Sequence, residues 1–185
     1  MLASASPRRS ALLSELGLAF EIVPADVDER DGIPDEPEAH ARAVAERKAR
    51  AVATLRPDDI VLAADTIVVL GSRIFGKPSD DEDAFAMLRA LAGREHRVLT
   101  AVCVAHAARD HWRTRVVSTS VRFRPADDAE LRRYVASGEP HGKAGAYAIQ
   151  GLGGLLVAGI DGDYSNVVGL PQGDTIDLLA EVLAR

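Results

Sequence analysis

The sequence predicts an α/β fold: an elongated mixed β-sheet with flanking helices, two lobes around a central cleft, in a single domain spanning residues 1–185. Three observations predict it. The run Ile60-Val61-Leu62-Ala63-Ala64-Asp65-Thr66-Ile67-Val68-Val69-Leu70 is long, apolar and rich in β-branched residues, as a strand buried on both faces reads. Strand-like and helix-like segments alternate in the first half, and hairpin patterns occupy the middle. A glycine-dense stretch, residues 138–154, then leads to a closing strand and helix.

The chain opens with a very short strand at Leu2, followed by the small-residue loop Ala3-Ser4-Ala5-Ser6 and a helix. Pro7 suits the first helical turn, Ser6 is placed to cap it, and Gly17 stops it. Leu12, Leu13 and Leu16 form its apolar stripe. Arg8 and Arg9 in the first turn oppose the helix dipole, which favours anions there. A phosphate at that helix start would account for them; two solvated arginines are the alternative. Phe20-Glu21-Ile22-Val23 alternates with period two and predicts a short strand. Residues 24–37 read as a loop carrying Asp26, Asp28, Glu29 and Asp31. These oxygen donors suit a divalent cation, or else form a solvated acidic loop. Residues 38–55 predict a helix on which Val44, Lys48 and Leu55 lie near one face, so that Lys48 points inward.

The apolar strand that follows carries one carboxylate, Asp65. A buried, unpaired carboxylate is costly, so Asp65 calls for a cation, a proton or a catalytic task, unless it caps a neighbouring loop. Gly71-Ser72 turns the chain into Arg73-Ile74-Phe75, and Lys77 stands at the end of that hairpin. Ser79 and Glu82 have capping-box spacing and open a helix that reaches Ala92 and is closed by Gly93. Residues 95–107 and 112–124 predict an antiparallel hairpin, and Asp127 caps a short helix ending at Ser137-Gly138. The glycines of 138–154 match neither a Walker A nor a GxGxxG pattern. Their density lets backbone approach a ligand, with Tyr147 and Gln150 placed to stack on and hydrogen-bond a base. A strand over 155–160, a turn over 161–163 and a helix over 174–183 complete the chain.

Composition narrows the function. Lys and Arg number 22 against 28 Asp and Glu, a net charge of −6, which argues against a nucleic-acid polymer as partner. Aromatics at 4% are too few for a base-stacking platform. A local cation cluster can still hold an anionic ligand. One cysteine, Cys103, excludes an internal disulfide, fits a reducing cytoplasm and reads as a core filler. No apolar stretch has membrane-spanning length, no signal-peptide pattern opens the chain, and the five His lack metal-ligand spacing. The expectation is a cytoplasmic protein without a membrane partner.

Four separated motifs occur together. They are Leu2-Ala3-Ser4-Ala5-Ser6-Pro7-Arg8-Arg9; Ala64-Asp65-Thr66; Gly76-Lys77-Pro78 with its acidic helix; and Ser137-Gly138-Glu139-Pro140 through Gly154 with Val168-Gly169-Leu170-Pro171. In this order, over essentially the whole chain, they resemble the Maf family of nucleoside triphosphate pyrophosphatases, whose fold is related to that of the inosine-triphosphate pyrophosphatases. The segment Lys143-Ala144-Gly145-Ala146-Tyr147-Ala148-Ile149-Gln150-Gly151 is similar to the branch acting on dTTP and UTP. The resemblance implies cleavage between the α and β phosphates with a divalent metal, Mg²⁺ or Mn²⁺. It implies Asp65 as the catalytic residue and Arg8, Thr66 and Gln150 as the residues of substrate choice. It places Ser4, Arg9, Lys48, Lys77 and Lys143 in the phosphate-binding pocket and Glu29 and Asp65 at the metal, with Asp65 as base or as metal ligand left open. A homodimer is the family's tendency. A nucleotide-binding regulator of septum formation without turnover, or a pyrophosphatase for modified purine triphosphates, are the alternatives. The chain departs from the pattern in two places: members usually have a few more residues before Leu2, and Gly142 stands where the family carries an acidic residue.

Overall fold

A computed structural model describes residues 1–29 and 31–184. Its helices are α1 (Pro7–Glu15), α2 (Pro37–Leu55), α3 (Asp81–Leu91), α4 (Asp128–Val135), α5 (Tyr164–Val168) and α6 (Gln172–Leu183). Its strands are β1 (Val61–Leu70), β2 (Arg73–Phe75), β3 (Glu95–His106), β4 (His111–Phe123) and β5 (Val157–Asp161), in one sheet of order β2-β1-β3-β4-β5. The β1–β2 and β4–β5 pairs are antiparallel. Leu2 makes isolated parallel bridges to Ile22 and Leu62, so the strand directions are mixed, as predicted. The chain divides into two compact units: Met1–Thr66, Thr100–Val117 and Gly169–Arg185 form the first, and Ile67–Leu99 and Ser118–Val168 the second.

In the first unit, α2 places Ala41, Val44, Ala45, Lys48, Ala49, Val52 and Ala53 inside. This is the i, i+3, i+4 stripe of a helix laid on a core. The stripe ends before the helix does, and Leu55 is 75% exposed rather than on the buried face expected of it. Lys48 is carried inward by its position between Ala45 and Ala49. Cys103 is fully buried, and burial pushes its thiol up to about 11, which makes it the inert filler its apolar setting predicts.

The second unit has its own core, in which Phe75, Leu88, Leu91, Phe123, Leu131 and Tyr147 pack together. His96 lies among them, 2% exposed, with Phe123 and Tyr147 edge-on around it. Gly145 is needed at its position: φ is +66°, and a Cβ there would lie 2.8 Å from Val68.

Several local expectations shift. The strands expected at Leu2 and at residues 20–23 shrink to isolated single-residue bridges, because the chain leaves the ladder at Ser4, whose hydroxyl accepts the Ser6 N–H and starts the turn into α1. Ser6 occupies the N-cap position but makes no side-chain cap hydrogen bond. Asp80, not Ser79, caps α3 by accepting from the Asp83 N–H, and Asp83 returns the contact by accepting from the Ser79 N–H. Glu82 instead reaches Arg132. The last strand begins only at Val157, because Leu152–Leu156 winds as a 3₁₀ helix, and the short helix α5 has no counterpart in the sequence pattern. Asp127 caps α4 as expected.

Candidate active site

The first unit assembles most of the residues the sequence singles out. Lys48, 8% exposed, reaches from α2 to β1, where its Nζ lies 2.9 Å from Asp65 Oδ1. The same ammonium lies 2.9 Å from Glu29 Oε1 of the acidic loop. One cation thus joins the buried strand carboxylate to a loop carboxylate, which resolves how Asp65 is tolerated inside an apolar strand. Among the described residues, Asp65 Oδ2 makes no hydrogen bond. A carboxylate held by one oxygen with the other uncommitted is equipped to take a proton from water or to bind a cation.

Beside it, Arg9 is fixed by three neutral acceptors. Its Nε donates to Gly169 O at 2.9 Å, Nη1 to Ser4 Oγ at 3.2 Å, and Nη2 to Thr66 Oγ1 at 3.0 Å. Thr66 Oγ1 in turn lies 3.0 Å from the hydroxyl of Thr100, which is fully buried. No described carboxylate forms an ion pair with Arg9, so its charge is oriented without being neutralised. Burial lowers its pKa while Asp65 and, more weakly, Glu29 hold it up and Arg8 opposes them. Two of the guanidinium's five N–H groups are left after these bonds, a planar fork suited to phosphate oxygens. Arg8, half-buried on the first turn of α1, makes no hydrogen bond among the described residues, and burial lowers its pKa as well. Ser6 at the N-cap of α1 makes no side-chain cap hydrogen bond, so no cap side chain occupies the helix start beside Arg8 and Arg9.

In the second unit lie Lys77, Lys143 and Gln150. Lys77 is exposed just beyond β2, and Gln150 is exposed in the turn before Gly151; neither makes a hydrogen bond to a described residue. Lys143 is half-buried, and its Nζ donates to Glu139 O at 2.6 Å and His141 O at 3.3 Å. The loops that carry these residues are tied together, since the Gly145 N–H donates to Gly76 O at 3.0 Å. Tyr147 does not present a face for base stacking. It is 6% exposed, its hydroxyl is 2.9 Å from His96 Nε2, and its ring packs edge-on against Phe123. An aromatic ring flanked by Ala146 and Ala148 is drawn into the core for its apolar area.

The Mg²⁺ or Mn²⁺ expectation has a limited fit. Among the described residues, no group of three or more His, Cys, Asp or Glu could hold a metal ion. Glu29 and Asp65 nevertheless converge on one cation, the Lys48 ammonium, and are hard oxygen donors of the type Mg²⁺ takes in ones and twos beside substrate phosphates. Within the same loop, Asp28 Oδ1 accepts the Asp31 N–H.

Sequence reasoning missed two supporting residues. Thr100 carries no pattern of its own and is recognisable only by its hydroxyl meeting Thr66. Glu139 stood within a motif, but nothing in the sequence shows that its carboxylate receives Tyr134, Leu152 and Gly153.

This is an α/β sheet protein in which a buried lysine and an oriented arginine stand beside a strand carboxylate, groups of the kind that bind phosphate. The family model described as Maf-like protein matches residues 1–182, and the chain belongs to that family. It is 54% identical over 97% of its length to a protein of Anaeromyxobacter dehalogenans named dTTP/UTP pyrophosphatase, covering 91% of that protein. It is 49% identical to a protein of the same name from Shewanella oneidensis, over 98% of this chain and 96% of the other. A solved HAM1 protein from Coxiella burnetii overlays with a TM-score of 0.46 and 18% identity, covering 99% of this chain and 96% of that one, a similarity too low to carry an argument. Among the described residues, no helix is long and apolar enough to cross a membrane.

Proposed function

We propose that this chain hydrolyses dTTP and UTP to the monophosphate and pyrophosphate. The observation that carries the reading is the 54% identity over 97% of the chain to a dTTP/UTP pyrophosphatase. The geometry supports it. A triphosphate brings several negative charges to one place, and Arg9 is a pre-oriented cation with N–H groups to spare. Arg8, Ser4, Lys48, Lys77 and Lys143 are the further phosphate contacts of this reading. Asp65 is the general base or a metal ligand, and its uncommitted oxygen serves either role. Glu29 and Asp65 would hold the divalent ion, which supplies charge neutralisation at the phosphates. Gln150 reads the base edge directly. Thr66 contributes to substrate choice through Arg9, because its hydroxyl is already committed to that guanidinium and to Thr100.

The test is a panel of standard and modified nucleoside triphosphates with Mg²⁺ or Mn²⁺, scored for monophosphate and pyrophosphate. Turnover of dTTP and UTP well above the purines supports the reading. Turnover confined to modified purines replaces it with a purine house-cleaning role, and binding without any pyrophosphate release replaces it with a regulator.

A further inference from the structure

We infer that Glu139 is a positioning residue for base selection, acting through the backbone of the turn that carries Gln150; the inference rests on the reading proposed above. The Glu139 carboxylate is the organising acceptor of the glycine-rich segment. It accepts the Tyr134 hydroxyl at 2.8 Å, the Leu152 N–H at 2.9 Å and the Gly153 N–H at 2.9 Å. The Tyr134 hydroxyl also accepts the Ala148 N–H at 3.2 Å. Gln150 therefore sits between two anchored stretches, Ala148 on one side and Leu152-Gly153 on the other, while its own side chain is exposed and makes no hydrogen bond to a described residue. The other end of the segment is tied to the same residue, since Lys143 Nζ donates to the Glu139 backbone carbonyl.

Two further observations support a dedicated role. A Cβ at Gly151, the residue after Gln150, would fall 2.1 Å from Glu139 Oε2, so the carboxylate lies directly against the turn. Gly151 has φ −113°, outside the left-handed region, so its lack of a side chain serves this approach rather than a special backbone angle. Hydrogen bonds to a carboxylate are charge-assisted, which suits the group to holding a loop at the precision that base discrimination requires.

The experiment compares wild type with Glu139→Ala, Glu139→Gln and Gly151→Ala. It measures kcat/KM for dTTP, UTP, dATP and GTP, together with equilibrium binding of non-hydrolysable dTTP and dATP analogues. Glu139→Ala is expected to lower the pyrimidine-to-purine ratio about tenfold or more, the scale set by one lost anchoring hydrogen bond to a charged group. Glu139→Gln, which keeps the shape and one acceptor oxygen, should fall between. Gly151→Ala should shift the ratio alone but add little in the Glu139→Ala background, because its steric partner is gone. An equal loss for every nucleotide, or a lower melting temperature with the ratio intact, overturns the inference and leaves Glu139 a structural residue. The binding ratio keeps the two readings separable: absent hydrolysis in wild type defeats the proposed function, whereas a wild-type binding preference untouched by all three variants defeats the role of Glu139.

Discussion

Two sets of polar residues, one in each unit, are built on opposite plans. Around Asp65 the polar side chains are held by specific partners: Lys48 bridges Asp65 and Glu29, and Arg9 is pinned by the neutral acceptors of Gly169, Ser4 and Thr66. Around the glycine-rich segment the reverse holds. Lys77 and Gln150 are exposed and make no hydrogen bond to a described residue, while the backbone beneath them is anchored by Glu139, Tyr134 and the Gly145–Gly76 hydrogen bond. The first set is organised at the side chain and the second at the main chain. This division suits their chemistry. A buried carboxylate needs compensation within the fold, whereas exposed side chains need only a scaffold that holds their Cα atoms still.

The largest effect should come from the first set. Asp65→Asn is expected to lose at least about 100-fold in kcat while keeping a cooperative melt, since general-base assistance is worth about 10²–10⁴-fold. Near-wild-type hydrolysis would remove Asp65 from the chemistry.

The scaffold of the second set should respond to acid. Burial lowers His96 to about 4, against roughly 6.5 when unfolded. The unfolded chain therefore binds a proton over that interval that the native chain does not, so stability is full above about pH 6.5 and declines as the pH falls toward about 4. The loss is on the order of 3 kcal/mol. Urea titrations from pH 7 to 4 should show this slope in wild type, and His96→Gln should flatten it. An unchanged slope would assign the acid sensitivity to another group.

A direct contrast between the sets pairs Arg9→Lys with Lys77→Ala. A lysine carries its donors on one nitrogen and cannot reach the three acceptors that Nε, Nη1 and Nη2 of Arg9 reach, so kcat/KM should fall about ten- to a hundredfold and stability by about 1–3 kcal/mol as those acceptors go unpaired. Lys77→Ala should lower kcat/KM by about tenfold, the effect of one phosphate contact, with stability within about 0.5 kcal/mol of wild type. Equal destabilisation by both variants in chemical denaturation would break the distinction between a pinned cation and an unengaged one.

Legibility in the sequence followed the range of the interaction. The helix of Pro37–Leu55, the strand of Val61–Leu70 and the cap at Asp127 were readable because periodicity and capping are set by neighbours in the chain. Inward-pointing Lys48 was readable for the same reason. The role of Tyr147 was not, because an aromatic ring in a glycine-rich loop suits a ligand or a core equally well, and only His96 and Phe123 decide for the core. Ser79 and Glu82 had the spacing of a capping box, yet Asp80 caps the Asp83 N–H and Asp83 takes the Ser79 N–H, a choice among near-equivalent acceptors that spacing alone does not rank.

What the sequence by itself determined is the α/β pattern, the membership of its motifs in one family, and the presence of a carboxylate where an apolar strand does not tolerate one unpaired. The tertiary structure alone decided that Lys48 is its partner, that Thr66 serves Arg9, and that Glu139 holds the turn bearing Gln150. Each of these rests on a side chain meeting a group 13 to 57 residues away at hydrogen-bond distance. Such meetings depend on how packed elements place their side chains in space, and no local rule of periodicity or propensity carries that information.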